Sequence, residues 1–395
     1  MEERSATRVA ITYHYSLSFG GSERVLEVLA EMYPQADFFA LFVRKECLPA
    51  KLKNRKITTS FLDRIPGAKR MYRHLLPLYP FAVECLDLSG YDLVISADGA
   101  ATKGVLTDQH ALHLCYCHSP PHSFWDQYAA FRREMSWFSR LLFTPVSQYL
   151  RLWDFSAAQR IDGFIANSDY VKNRIWKYYR RESTVIYPPV DTSAAYLSKR
   201  PASYYLCVGR LIAAKRVDLL ISACNRLGRE LRIVGVGPEE GALRTLAGSS
   251  VKFLGRLTES ELLHAYANCW ALLFAADEDC GLVAIEAQAC GRPIIAYGRG
   301  GSRETVIGMP PETYRGIGNS MDGSTAFTGV FFAEQTTLSV ETAIQRFEAI
   351  EGSFNPVEIQ KHAATFDTTV FVSKFLSYVS QQSENRHKHS PTVVE

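Results

Sequence analysis

The sequence has no apolar run of the ~18–20 residues that a bilayer-spanning helix needs, so no such helix is expected. It contains no Cys-x-x-Cys pair and no Cys/His set at zinc spacing, which argues against a structural zinc site or a redox dithiol. An excess of one charge is also missing. Forty-four Lys and Arg face 41 Asp and Glu, a net charge of +3, too balanced for a dedicated nucleic-acid binder. The start, Met1-Glu2-Glu3-Arg4, is charged and leads into an alternating run, so no secretory signal is expected. The nine cysteines are odd in number and sit mostly in apolar segments. They read as small core residues in a reducing compartment, giving an expected cytoplasmic location. What is present, 395 residues at 47% hydrophobic and 22% charged, suits a globular chain of two or three domains.

Strand-like and helix-like segments alternate throughout, the pattern of a parallel α/β protein. Strands are expected at 8–15, 38–43, 93–97, 113–117, 163–166 and 183–187. A second series follows at 204–208, 231–234, 251–254, 271–274 and 293–296. Between the two series, Pro188-Pro189-Val190-Asp191 and the polar stretch to Ser203 read as a linker, because paired prolines continue neither strand nor helix. The expected organisation is a domain over 1–190 completed by a closing helix in 366–382, a second domain over 204–365, and a disordered tail over 383–395.

Two stretches depart from the balanced average. From Lys51 to Arg73, eight basic residues face Asp63 alone, interleaved with Leu62, Ile65, Met71 and others. That mixture suits an anionic membrane surface or, equally, a solvated helix-loop-helix face. Phe131 to Trp153 mixes Arg132, Arg133, Arg140 and Arg151 with Trp137, Phe138, Leu141 and Leu142. It belongs to the same surface or simply packs over the first domain.

The chemistry-bearing residues lie at strand ends, where open parallel sheets bind ligands. Val208-Gly209-Arg210 closes one strand, and Lys215 follows on the next loop. A guanidinium fork and an ammonium point charge together suit a diphosphate, or are surface charge. Gly235-Val236-Gly237-Pro238 closes the next strand and departs from a dinucleotide fingerprint, so it reads as a tight turn. Phe253-Leu254-Gly255-Arg256 ends a third strand in the same way. The most specific run is Asp277-Glu278-Asp279-Cys280-Gly281-Leu282, continuing to Glu286. If Gly281 turns the chain into a helix, loop amides and the helix start make an anion site. Glu286 then suits a ribose diol and Glu278 a second hydroxylated ring. Asp277-x-Asp279 also resembles a metal-binding pair, but no helper ligands accompany it.

These runs resemble glycosyltransferase family 4, a retaining GT-B family. The resemblance extends to Gly20-Gly21-Ser22-Glu23, Tyr116-Cys117-His118-Ser119-Pro120, Trp125-Asp126, Val185-Ile186-Tyr187-Pro188-Pro189 and Gln335-Thr336. It covers about Val9 to Val379, and is nearest to bacterial mannosyltransferases of exopolysaccharide and O-antigen assembly. It implies an α/β GT-B fold: two Rossmann-like domains facing across a cleft, with a C-terminal helix returning to the N-terminal domain. It further implies transfer of a hexosyl unit, best guessed as mannose from GDP-mannose, to a saccharide acceptor tethered to polyprenyl diphosphate. No metal or other cofactor is implied, and the enzyme would sit peripherally on the inner face of the plasma membrane. Carried over, Arg210 and Lys215 hold the diphosphate with Gly20, Gly21 and Gly209 approaching it. Glu286 takes the ribose, while Glu278 with the Gly281 and Leu282 amides takes the sugar. Gly237 and Arg256 line the donor site, and His118 lies near the anomeric carbon. The chain departs from the family pattern at His122-Ser123, where an arginine is usual, at Tyr15 after His14, where an aspartate is usual, and at Cys280 and Ala284. A non-catalytic sugar-nucleotide-binding subunit and a GT-B-like epimerase or phosphorylase are the competing readings.

Overall fold

The computed structural model describes residues 7–16, 21–310 and 326–389. Two compact units emerge, Met1–Pro189 with Phe371–Glu395, and Val190–Val370. Each is an α/β unit around one seven-stranded sheet, and every strand pairing within the two sheets is parallel.

In the first unit the strands are β1 (Val9–Ser16), β2 (Asp37–Val43), β3 (Ile57–Thr59), β4 (Leu93–Ser96), β5 (Leu112–Cys117), β6 (Gly163–Ala166) and β7 (Ser183–Val185). Their order is β3-β2-β1-β4-β5-β6-β7. The central strands are buried along their whole length because helices cover both faces. Helix Gly21–Met32 turns Val25, Leu26, Val28 and Leu29 inward, the spacing its sequence shows. Cys115 and Cys117 share one cluster with Phe164 and Tyr179, and all nine cysteines are free thiols.

The second unit holds β8 (Tyr205–Val208), β9 (Leu231–Val234), β10 (Val251–Gly255), β11 (Ala271–Phe274), β12 (Ile294–Tyr297), β13 (Gly308–Met309) and β14 (Gly329–Phe332). Their order, β10-β9-β8-β11-β12-β14-β13, again starts in the middle and reverses direction beside the first strand. In both units this reversal lies between the first and fourth strands, β1/β4 and β8/β11. At such a point adjacent loops diverge and open a crevice at the carboxyl ends.

Strands expected from the sequence form within one or two residues of their expected bounds. Three differences have clear causes. Residues 57–59, placed in the basic stretch, form an edge strand, with Phe38 opposite Ile57 and Ala40 opposite Thr59. Residues 190–203, set aside as a linker, belong to the second unit. Val190 bridges to Asp367, the Thr192 hydroxyl donates to the Asp367 carboxylate at 2.6 Å, and Ser198 donates to Asn268 at 2.9 Å. The tail expected to be disordered from 383 continues as helix Thr368–His389. Arg386 fastens it by donating to the Asp162 carboxylate at 2.9 Å and to the Ala111 and Gln109 carbonyls. Residues 390–395 lie outside the described residues.

That last helix completes the first unit's core. Phe371, Phe375 and Tyr378 join Ile11, Leu114 and Tyr116 in one cluster. The Tyr378 hydroxyl occupies space that a side chain at Gly163 would fill, and donates to the Phe164 carbonyl at 3.2 Å. Phe375→Ala is expected to destabilise this unit by about 3–5 kcal/mol, read as a lower urea midpoint for its unfolding transition.

Candidate functional site

In the second unit, the β8 and β9 exits are laced together by their main chains. Gly209 N–H donates to the Val234 carbonyl at 3.0 Å, Leu211 N–H to Val236 at 3.1 Å, and Glu239 N–H to Leu211 at 3.0 Å. The approach excludes side chains. A Cβ on Gly235 would lie 1.9 Å from the Gly209 oxygen, and one on Gly237 2.2 Å from the Leu211 oxygen. Gly237 thus packs against the main chain of the loop bearing Arg210, in keeping with the tight turn expected there. Arg210 is exposed at the crevice. Beneath it a small cavity is lined by Gly209, Arg210, Lys215, Phe274 and Ala275. Arg256 ends the edge strand β10, two strands from β8, and is exposed.

Across the switch point, the β11 exit carries Glu278, whose carboxylate forms an ion pair with the Lys215 ammonium. Two sequence-distant residues expected to serve one ligand thus meet. Burial and the adjacent Arg210 charge lower the Lys215 ammonium to about 8, with the Cys207 sulfur opposing. Pairing with Glu278 favours the ammonium form, so the lysine is a cation at neutral pH. Gly281 adopts φ 78° and caps helix Leu282–Ala289, as expected. Its conformation is left-handed, which a side chain would strain. The Leu282 and Val283 amides at the helix start have no main-chain acceptor among the described residues and make this end electropositive.

Glu286, on that helix, accepts a 2.6 Å hydrogen bond from the Tyr266 hydroxyl. Burial and the Glu286 charge push the Tyr266 phenol well above its usual range. It therefore stays a donor, orienting one carboxylate oxygen. The Glu278 loop is also braced from behind. Gly301 N–H donates to the Glu278 carbonyl at 2.7 Å, and a Cβ on Gly300 would lie 2.3 Å from that same oxygen. Gln335 holds the Ala275 carbonyl at 2.8 Å. Sequence reading missed Tyr266 and the Gly300-Gly301 turn. The glycine pair was the available signal.

The first unit has its own charged switch point. His118 follows β5, its ring edge-on to Tyr116 at 5.3 Å. Beside it, at the β1/β4 reversal, His14 Nδ1 lies 3.4 Å from the carboxylate of Asp98. Burial pushes the Asp98 carboxyl upward, but the His14 charge and hydrogen bonds from the Ala100 and Thr102 amides hold it below the usual range. The sequence lacks an aspartate directly after His14, and the fold brings a carboxylate to that histidine from the neighbouring strand. A Cβ on Gly99 would lie 2.2 Å from the Ser119 oxygen, so the Asp98 and His118 loops are in contact. The Asp98 loop is held from beneath by the buried Lys103. Its ammonium pairs with Asp154 and donates to the Gly99 carbonyl at 3.0 Å.

An arginine also reaches the loop after His118. Arg174, nearly buried, donates to the Pro120 carbonyl at 2.8 Å and grips Asp126 with both terminal nitrogens. Gly21 opens helix Gly21–Met32, and Gly20 lies outside the described residues. The structure thus brings together Gly209, Arg210, Lys215 and Glu278 in the second unit, with Gly281 and Leu282 at the start of the helix that carries Glu286. It places His118 and Gly21 in the first.

Two all-parallel sheets of this order in one chain, each with its charged loops at the reversal, define the GT-B class of α/β protein. Residues 19–194 match the family model described as Glycosyltransferase Family 4. Residues 202–313 match the one described as Glycosyl transferases group 1. Each of the two glycosyltransferase models thus matches a separate stretch of the chain. It is 29% identical over 156 residues to the uncharacterized glycosyltransferase MJ1178 of Methanocaldococcus jannaschii, covering 38% of this chain and 44% of that one. It is 39% identical over 116 residues to a GDP-mannose-dependent monoacylated alpha-(1-6)-phosphatidylinositol monomannoside mannosyltransferase of Corynebacterium glutamicum, covering 25% and 30%. The matched stretches thus span less than half the length of these curated relatives. Among solved structures, Anabaena Alr3699/HepE in complex with UDP aligns over 95% of this chain and all of that one. Its TM-score is 0.67 at 17% identity. Sucrose-phosphate synthase of Thermosynechococcus elongatus aligns over 95% and 99%, with TM-score 0.68 at 18% identity. At these identities the likeness is one of fold.

The Lys215 environment makes a pH dependence. Its ammonium is lowered to about 8, so the charge it would offer an anionic ligand is present below that pH and lost above it. Affinity for a nucleotide diphosphate sugar is expected to hold to pH 7 and fall towards tenfold per unit above pH 8. In Lys215→Arg the decline should vanish, because a guanidinium keeps its charge. Calorimetric titrations from pH 6.5 to 9.5 check this.

Proposed function

We propose that this protein is a retaining glycosyltransferase that moves a hexosyl unit, mannose from GDP-mannose as the best match, to a lipid-linked saccharide acceptor in cell-surface polysaccharide synthesis. The observation that carries the donor half is the convergence of Arg210, Lys215 and Glu278 at the β8/β11 reversal, beside the Gly281-capped helix start. Arg210, Lys215 and the first-turn amides neutralise a departing diphosphate, the main electrostatic demand of the reaction. Glu286, oriented by Tyr266, is placed for a ribose diol, and Glu278 for sugar hydroxyls once a diphosphate competes for Lys215. GDP-mannose rests on the two relatedness signals, the sequence motifs and the mannosyltransferase among the curated relatives.

In the proposed reaction the bond between the anomeric carbon and the phosphate oxygen breaks. A bond to the acceptor oxygen forms on the same face, and the acceptor's proton passes to the departing phosphate oxygen. This route needs no enzyme nucleophile, unlike the two-carboxylate arrangement of retaining glycosidases. Wild-type protein with EDTA should bind one nucleotide diphosphate sugar, and Arg210→Ala should weaken it at least about tenfold, the loss of one charge-assisted contact. Transfer to a saccharide acceptor should give a product with the donor's anomeric configuration by NMR. Donor binding without turnover would support the binding-subunit reading, and an inverted product would overturn same-face attack.

The lipid half of the proposal rests on helix Trp137–Gln159. One face packs inward through Ser147, Leu150, Asp154, Ala157 and Ala158. The opposite face exposes Trp137 (77%), Phe138, Leu141, Leu142, Tyr149, Leu152 (67%) and Phe155. These positions recur at three- and four-residue intervals and form one stripe. The side chains of Arg132, Arg133 and Arg140 lie at its start and, among the described residues, bond the Thr144 hydroxyl and the Ala129 and Arg133 carbonyls. Their charge is left for an anionic lipid surface. No helix among the described residues is long and apolar enough to cross a membrane, so attachment would be peripheral. Replacing Trp137, Phe138 and Leu141 with serine should cut partitioning onto phosphatidylglycerol vesicles at least about tenfold. Unchanged co-sedimentation, or a change only in self-association, would remove the membrane role of this face.

A further inference from the structure

The first unit holds a second cationic cavity that the donor chemistry does not use. It has a volume of about 540 Å³ and is lined by residues 63–70 together with Arg44. Four cations, Arg44, Arg64, Lys69 and Arg70, face a single carboxylate, Asp63. Its place in the fold is informative. Arg44 directly follows β2, and the wall 61–70 follows the end of β3. The cavity thus sits at the carboxyl edge of the sheet, where parallel folds take ligands. Strand β2 neighbours β1, so the cavity lies about 5 Å in sheet spacing from the strand that bears His14.

The cavity is built, and its cations divide into two kinds. The Lys69 ammonium donates to the Val43 carbonyl at 2.6 Å and pairs with Asp63 at 3.1 Å. Arg44 donates to the Lys69 carbonyl at 3.2 Å. Those contacts fix the wall to the end of β2. Lys69, one of the eight basic residues of this stretch, is thus tied towards the sheet. Arg64 and Arg70 are exposed, and neither guanidinium makes a hydrogen bond or ion pair among the described residues. With Asp63 spent on Lys69, two guanidiniums and part of a third face the opening uncompensated. Such a cluster favours a multiply charged oxyanion that accepts several N–H groups.

The rim adds a second property. Ile65 is exposed beside the two arginines, and Phe61, on the same turn, stacks edge-on with exposed Phe81 at 5.4 Å. Phe81 belongs to helix Tyr79–Glu84, and the Glu84 carboxylate accepts from Trp153 of helix Trp137–Gln159 at 2.9 Å. The helix bearing Phe81 is thus tied directly to the helix that carries the exposed stripe.

We propose that the cavity between Arg44, Arg64 and Arg70 binds the phosphate or diphosphate group by which the acceptor saccharide is tethered to its lipid, with Ile65 and Phe81 meeting the first lipid units. The proposal deepens the reading of a lipid-linked acceptor and rests on it, while the cavity's anion binding is measurable without any transfer reaction. The test uses the full chain carrying Arg210→Ala and Lys215→Ala, which removes the donor anion site. Inorganic pyrophosphate and geranylgeranyl diphosphate are titrated separately by calorimetry. Arg64→Ala with Arg70→Ala added is expected to weaken both probes tenfold or more, with an unchanged thermal midpoint because both side chains are exposed. Equal affinity with and without the two arginines overturns the proposal.

The probes also separate the sources of the anion. Geranylgeranyl diphosphate binding at least tenfold tighter than pyrophosphate, with the gain lost in Ile65→Ser/Phe81→Ser, supports a lipid-borne phosphate. Equal binding of the two probes overturns the lipid tether and assigns the cavity to a water-soluble phosphate ester. Failure of the transferase reading is seen separately, as absence of donor binding in the wild-type chain.

Discussion

Each sheet begins in its middle, and the functional chemistry depends on that constraint. When β1 or β8 has a neighbour wound to one side and its other neighbour arrives only as the fourth strand, the loops leaving the two carboxyl ends run apart. Backbone geometry opens the space, and charge is then set into it. In the second unit the pair is Lys215 with Glu278, and in the first it is His14 with Asp98. Neither pair could form along a contiguous stretch of chain. They meet because parallel strands bring the ends of distant segments to one edge.

Close approach of main chain is what gives these loops a single shape. Gly235 and Gly237 press on the carbonyls of Gly209 and Leu211, and Gly300 presses on that of Glu278. In the first unit Gly99 presses on Ser119 in the same way. A buried ammonium, Lys103, braces the Asp98 loop through carbonyls, its charge balanced by Asp154. A cation so deeply placed is tolerated only when paired and hydrogen-bonded. Here its bonds go to the loop that orients Asp98. Rigidity at the edge thus comes from glycine contacts and one buried ion pair, while Arg210 above them is exposed.

Much of the fold was legible because buried parallel strands are short apolar runs between turn residues, and such runs survive in the sequence unaltered. Gly281 could be read as the turn into a helix, and Arg210, Lys215 and Glu278 as loop residues, because each lies between a strand end and the helix that follows it. The illegible parts share one property, which is that their partners are remote in sequence. Asp98 acquires meaning from His14, 84 residues earlier. Arg174 reaches Pro120 and Asp126 from helix Asp169–Tyr179, and Tyr266 reaches Glu286 from helix Glu259–Asn268. The stretch 190–203 looked like a linker because its polar residues pair with distant ones, Asp367 and Asn268. Residues 383–389 looked disordered for the same reason, since Arg386 takes its partners from 109, 111 and 162.

The closing helix has a consequence for how the protein is made. Synthesis runs from the amino end, so the first sheet and then the whole of the second unit leave the ribosome before Phe371, Phe375 and Tyr378 exist. Until they arrive, the groove beside Tyr116 and Gly163 is uncovered apolar surface, the kind that recruits chaperones or other nascent chains. The second unit draws on no later segment and can finish while the first waits. The order of assembly is thus inverted relative to the order of translation: the unit begun first is the last to be sealed.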